Sequence, residues 1–387
     1  MYWIAGCKAV RERAGYLVWI IALIGLFPWT VPVLAAGEQV ALTIYSDDLA
    51  LVHEIRMLTL EPGMNLKRLA GLPDRIIPSS IFLRMVEDAE GVHLDELIVG
   101  PELTWRLVSE RAGTYRMELS YLTEGVNWTM HYVGLLDANG ARLGFDSWAS
   151  ISNNSGATYE EAQVGLIAGQ IRRVGFGPGS RVQFEAALAA PVREQVGEYH
   201  LYRLARPMTL GAGETKQIPF LRADGIQVES VFIFEGQREP GVRFGFQFVN
   251  SMEHGLGEPL PAGIFRLYQE DKTGTRQFIG EDQIANTPED ELVRLTVGIA
   301  FDLVAERTQT DHIKRGAQIF EDSFEIMLKN RKPEGVRVRV VEHLQGDWQI
   351  IQASHDYRKV DAETIEFNVP VEAGEEVKVG YTVRYRL

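Results

Sequence analysis

The chain has 387 residues, 45% of them hydrophobic and 10% aromatic, a formal net charge of −14 and a single cysteine. That composition describes a folded chain of roughly two to four domains and excludes a disordered one. The acidic balance argues against nucleic acid as a partner and against anionic lipid held by bulk electrostatics.

Lys8, Arg11 and Arg13 precede an apolar run from Tyr16 to Leu34, followed by Ala35, Ala36 and the polar Gly37-Glu38-Gln39. This is the order of a secretory signal over residues 1–36. Val33-Leu34-Ala35 fits the cleavage rule best, so cleavage is expected after Ala35, with Ala36 as second choice. An uncleaved anchor is the rival reading, because the run is long enough to span a bilayer. Pro28 and Pro32 interrupt it and favour a cleaved signal. Ile4-Ala5-Gly6-Cys7 has a lipobox composition but stands ahead of the charged and apolar regions, the wrong order for a lipoprotein. The protein is therefore expected to be periplasmic or secreted, meeting a membrane only through this segment if it is kept. Its removal takes away Cys7, and with it any disulfide, thiolate nucleophile or cysteine-ligated metal. It also removes three basic residues and one acidic one (Glu12), which moves the net charge from −14 to −16.

The remainder reads as β-strand. Gln39 to Tyr45 and Leu49 to Leu60 are runs of apolar and alternating residues, ended by Ser46-Asp47-Asp48 and Glu61-Pro62-Gly63. Val336 to Val340 alternates valine with arginine, and Glu376 to Leu387 places Val377, Val379, Tyr381, Val383 and Tyr385 on one side, both with the period of two expected of a strand. Few windows carry the period of an amphipathic helix. One turn recurs in Leu60-Glu61-Pro62-Gly63, Leu210-Gly211-Ala212-Gly213, Leu260-Pro261-Ala262-Gly263 and Val371-Glu372-Ala373-Gly374. In each, an apolar residue ends a strand and glycine is expected to supply a positive φ. The spacing is irregular, which indicates a shared architecture and not a strict tandem repeat.

Composition suggests an order of domains: a signal at 1–36, an N-terminal β domain at 37–170, a flexible excursion at 171–200, a middle β-sandwich at 201–315 and a C-terminal β-sandwich at 320–387. The excursion begins with Gly175-Phe176-Gly177-Pro178-Gly179-Ser180, and Arg172, Arg173 and Arg181 cluster around it. Asp311 to Glu321 reads as a second polar break. The expected fold is all-β, two or three immunoglobulin-like β-sandwich domains in series.

A family resemblance covers nearly the whole chain after residue 36. Leu42-Thr43-Ile44-Tyr45-Ser46-Asp47-Asp48-Leu49-Ala50-Leu51-Val52, Gly125-Val126-Asn127-Trp128-Thr129-Met130-His131-Tyr132 and Ala149-Ser150-Ile151-Ser152-Asn153-Asn154-Ser155-Gly156 follow one another in order. Tyr202 to Phe220, Leu260-Pro261-Ala262-Gly263, Gly280-Glu281-Asp282 and Val341-Glu342-His343-Leu344-Gln345-Gly346-Asp347-Trp348 continue the series. The chain resembles exported bacterial proteins with a DUF4139 domain, the mucoidy-inhibitor-like family, without the coiled-coil arm that such proteins often carry. The resemblance implies fold and location and supplies no catalytic residue.

Candidate chemistry is sparse. His254, His312, His343 and His355-Asp356 are the histidines that would have to converge to hold a metal, but no metal-ligand spacing such as H-E-x-x-H is present. The acidic pairs Asp47-Asp48, Glu160-Glu161, Glu281-Asp282 and Glu289-Asp290 are read as solvated loops more readily than as a glycosidase pair, which needs a carboxyl raised by burial. Gly177-Pro178-Gly179-Ser180 is not a nucleophile elbow. Trp105, Trp128, Trp148 and Trp348, with Tyr115, Tyr121 and Tyr132, are read as core residues in preference to a sugar-binding platform. No catalytic, cofactor or metal residue is assigned. The expectation is a non-catalytic envelope protein that binds or organises a protein or glycan partner through β surfaces, by strand addition at Val336 to Val341 or at the strand ending at Leu387. The alternative is a hydrolase of envelope polysaccharide or peptide.

Overall fold

The computed structural model describes residues 39–68, 70–86, 90–99, 103–169, 193–196 and 199–386. The signal expected at 1–36, the arginine cluster at 172, 173 and 181, and the Gly175 to Ser180 loop lie outside these residues.

The protein is all-β. Its described helices are two single 3-10 turns, Pro78–Ser80 and Met252–His254, and none is long and apolar enough to cross a membrane. The strands form where side chains alternate between core and surface. In Val126–Leu136 the residues Val126, Trp128, Met130, Tyr132 and Leu136 point inward, and in Arg142–Asn153 Leu143, Phe145, Ala149 and Ile151 do the same. Period two places every second side chain on one face of the sheet, so burying that face fixes the register.

Two halves of the chain repeat one topology. In the first, the hairpin of Val40–Tyr45 and Leu49–Leu60 pairs in parallel with Tyr159–Ala168, which takes Met208–Leu210 on antiparallel. Val126–Leu136, Arg142–Asn153 and Glu214–Gln227 form an antiparallel series beside them. In the second half, the hairpin of Glu229–Phe234 and Val242–Val249 pairs in parallel with Val336–His343, which takes Thr364–Val371 on antiparallel. Leu303–Lys314, Ile319–Asn330 and Glu376–Arg386 form the matching series.

The same side chain closes both halves. Asn153, at the end of its strand and fully buried, donates from Nδ2 to the carbonyls of Ala157, Leu210 and Gly211. Asn330, equally buried, donates to the carbonyls of Glu334, Val371 and Glu372. Each ties its own turn to one of the recurrent turns seen in the sequence, and each accepts a backbone N–H two residues on, from Ser155 and Lys332. A carboxamide has two donors and an acceptor on one short stem, so it satisfies buried turn carbonyls that strands leave unpaired. Asn250 joins Glu258 to Pro288 in the same manner, and Asn65 closes the Leu60 to Gly63 turn.

The described residues form two hydrophobic cores. The larger runs from Leu42 to Leu295 and includes Trp105, Trp128, Tyr132 and Phe265. The smaller gathers Phe234, Val242, Leu303, Ile326, Val340, Phe367 and Tyr381. The strand Val242–Val249 serves both, with Val242 in the smaller core and Phe246 and Phe248 in the larger.

This pairing redraws the boundaries suggested by composition. The segment 201–315 makes no sandwich of its own. Glu214–Gln227 and the hairpin of Gly263–Glu270 and Arg276–Ile284 join strands of the first half, whereas Leu303–Lys314 joins the last core. Residues 320–387 are not self-contained, because their core needs Phe234, Val242 and Leu303. The polar break at Asp311 to Glu321 is a hairpin in which His312 pairs with Asp322 and Lys314 with Phe320. It reads as polar because much of Leu303–Lys314 is exposed. The end of the 171–200 excursion is strand, since Arg193–Val196 pairs with Tyr199–Arg203.

Candidate functional site

The two strands expected to offer an open edge are interior. Val336–His343 lies between Glu229–Phe234 and Thr364–Val371, and Glu376–Arg386 lies between Ile319–Asn330 and Asp347–Ala353. Their alternating valines and tyrosines are buried because one face of each strand packs on the smaller core. The long open edge of this sheet is Leu303–Lys314, which carries no partner on its outer side among the described residues.

Along the inner half of that strand, Arg307 Nε lies 3.0 and 2.9 Å from the two carboxylate oxygens of the fully buried Glu342. Its guanidinium stacks 3.9 Å above the Phe324 ring, and the Tyr381 hydroxyl also donates to Glu342. Burial pushes the Glu342 carboxyl above its ordinary value, against the opposing pull of Arg307 and Tyr381. The arrangement is a buried ion pair that fixes the inner face of the edge strand.

Further along, the strand bulges between Gln309 and Asp311. There, Gln309, Thr310, Asp311, His312 and Asp322 line an open cleft of about 590 Å³. His312 Nδ1 lies 2.5 Å from Asp322 Oδ1, and the Tyr385 hydroxyl donates to Asp322 Oδ2 at 3.0 Å. Burial, then the Asp322 carboxylate, raises the Tyr385 phenol. The Phe320 ring stacks on His312 and on Tyr385. Asp311 accepts the His312 backbone N–H and is exposed, with no ion pair among the described residues. The nearby cations are engaged elsewhere: Arg315 and Arg384 hold Glu321 at 2.8 and 2.7 Å, and Lys314 lies over Phe320. An imidazole beside a carboxylate is half of a nucleophile-activating constellation. The neighbouring hydroxyl, Thr310 Oγ1, donates to the Ser323 carbonyl instead.

The other histidines singled out by sequence do not join it. His254 pairs with Ser251, His355 with Ser354, and His343 Nε2 lies 2.5 Å from Glu235 Oε1. Among the described residues, no three His, Cys, Asp or Glu side chains are placed to hold a metal. The acidic pairs are mainly solvated, and two of their members cap backbone: Asp48 accepts from Gly125 N and Asp282 from Thr296 N. Trp105, Trp128, Tyr121 and Tyr132 are core residues. A second hollow, about 410 Å³, opens between Asp47, Trp128, Pro261 and Asn286.

Comparison with protein-family models and with curated proteins finds no match to this chain.

Proposed function

We propose that this is an exported, non-catalytic envelope protein that holds a protein partner by adding a strand of that partner to the Leu303–Lys314 edge. The observation that carries the reading is the edge itself: twelve residues of strand, paired on one side only among the described residues. Such an edge presents backbone N–H and C=O groups that an added strand can pair with; this one carries Glu306, Asp311 and Lys314 and a bulge at Gln309 to Asp311, which limit indiscriminate pairing and restrict it to a complementary segment. The basic, apolar and small-residue order of 1–36 supports export, and the ordered similarities from Leu42 to Trp348 support kinship with the DUF4139 type. Placement of Trp105, Trp128, Tyr121 and Tyr132 in the core favours a protein partner over a glycan one.

The test is affinity capture from envelope extract with two baits, the wild-type chain and a Val304→Lys variant that charges the exposed start of the edge. A partner held by the first and lost from the second supports the reading. Equal retention by both counts against it, and so does an empty capture. Cleavage of envelope glycan or peptide by the purified protein would favour the hydrolase alternative, whose one structural support is the His312–Asp322 pair.

A further inference from the structure

The repeated topology makes the first half a template for the second. Val126–Leu136 holds in the first half the place that Leu303–Lys314 holds in the second. Each pairs antiparallel with a strand ending in the buried asparagine, Val126 opposite Asn153 and Leu303 opposite Asn330. In the first half the outer edge is covered: Gly263–Glu270 adds to it in parallel, from Gly263 opposite Met130 to Gln269 opposite Leu136. In the second half the corresponding edge is bare among the described residues.

Counting back from the two asparagines matches the lining of the two positions. Tyr132 lies opposite Ser147, and Gln309 opposite Phe324, each partner six residues before its asparagine. Phe145 and Asp322 each stand eight residues before theirs. In the first half the added strand places Phe265 against Tyr132, stacked at 5.4 Å, and against Phe145 at 5.8 Å. In the second half the same level is the cleft of Gln309, Asp311 and Asp322. A phenyl ring suits the first lining, and a cation suits the second. At the other end of the bare strand, Phe301 is 94% exposed and Val304 41%. A parallel addition brings the start of the incoming segment to this apolar end and its later residues to the acidic cleft.

We infer that the Leu303–Lys314 edge takes up an extended segment of a partner protein, added in parallel, with an apolar residue near its start and a Lys or Arg entering the cleft at Asp311 and Asp322. This rests on the edge-binding reading above and adds the direction and chemistry of the partner. The rise of a strand sets the basic residue about six positions after the apolar one. The acidic net charge of −14 favours encounter with a basic segment.

The experiment pans a library of random twelve-residue peptides on the full chain. Enriched peptides are then titrated against wild type and Asp311→Lys, an exposed position whose native fold is checked by circular dichroism, and amide hydrogen exchange is mapped with and without peptide. The expected result is enrichment of peptides with an apolar residue followed by Lys or Arg, at least tenfold weaker binding to Asp311→Lys, and slowed exchange confined to Leu303–Lys314. Protection at that strand with no basic preference and equal affinity for the variant overturns this inference and leaves edge binding standing. Protection elsewhere, or no enriched peptide, overturns both. A concentration-dependent dimer that protects the edge without peptide also overturns it, because a second copy is then the occupant.

Discussion

Asn153 and Asn330 show how much of this fold rests on single polar side chains. Each satisfies three carbonyls inside a turn pair, and removing the carboxamide leaves those acceptors buried without donors. Asn330→Ala should lose about 1–3 kcal/mol in a denaturant titration, and Asn153→Ala a similar amount. The Arg307–Glu342 pair should be asymmetric. Arg307→Met strands a buried carboxylate and should cost about 3–5 kcal/mol, whereas Glu342→Gln, which leaves the 17%-exposed Arg307 beside a neutral carboxamide of the same shape, should cost less. Denaturation of the two variants side by side decides this, and equal losses would contradict it. Glu235 gives a pH dependence. Burial opposes its charge, but the His343 hydrogen bond and Arg238 and Arg243 hold its carboxyl below the ordinary 4.5. A carboxyl lowered on folding adds stability that is complete above its unfolded value and is lost as pH falls through the folded one. Wild type should therefore lose stability relative to Glu235→Gln as pH drops below about 4.5, read as melting temperature across that window.

Among the strands, edge and interior positions separate by their exchange behaviour. Val336–His343 pairs along its length with Thr364–Val371 and on its other side with Glu229–Phe234 at Val338 to Val340, so the amides of Val338 to Val340 should all stay protected, whereas Leu303–Lys314 should alternate between protected and fast-exchanging amides, because every second N–H points away from Ile319–Asn330. Uniform protection along both strands, measured by hydrogen-exchange NMR, would mean that the edge is covered. Gly263 behaves differently from the other glycines of its turn family. Gly63, Gly213 and Gly374 have φ of +90, +73 and +72 degrees, as the turn pattern predicts. Gly263 is needed for closeness instead: a Cβ there would sit 2.3 Å from the Met130 carbonyl oxygen. Gly263→Val should push Gly263–Glu270 off Val126–Leu136 and lower the melting temperature, while Gly213→Asn should be tolerated because asparagine accepts a positive φ.

For the molecule as a whole, the shared strand Val242–Val249 couples the two cores. Phe248→Ala, a cavity of about 3–5 kcal/mol in the larger core, should lower the calorimetric transition of the smaller core as well. A fragment of residues 320–387 should stay unfolded by circular dichroism, since Phe234, Val242 and Leu303 are missing from its core. Strand identity was readable from the sequence because it depends on neighbours along the chain: Val40–Tyr45, Leu49–Leu60 and Glu376–Arg386 follow from alternation and turn residues alone. The same alternation gave the all-β class and the core placement of Trp105, Trp128, Tyr121 and Tyr132. That Leu303–Lys314 ends its sheet could not be read this way. A strand alternates in the same way with one neighbour or two, and Leu303–Lys314 looked like a break because its exposed residues are polar. The pairing of Gly263–Glu270 with Val126–Leu136, across more than a hundred residues of chain, is a tertiary choice made by Phe265 packing on Tyr132. That no equivalent strand lies over Asp311 and Asp322 among the described residues is what turns a repeated fold into a candidate binding site.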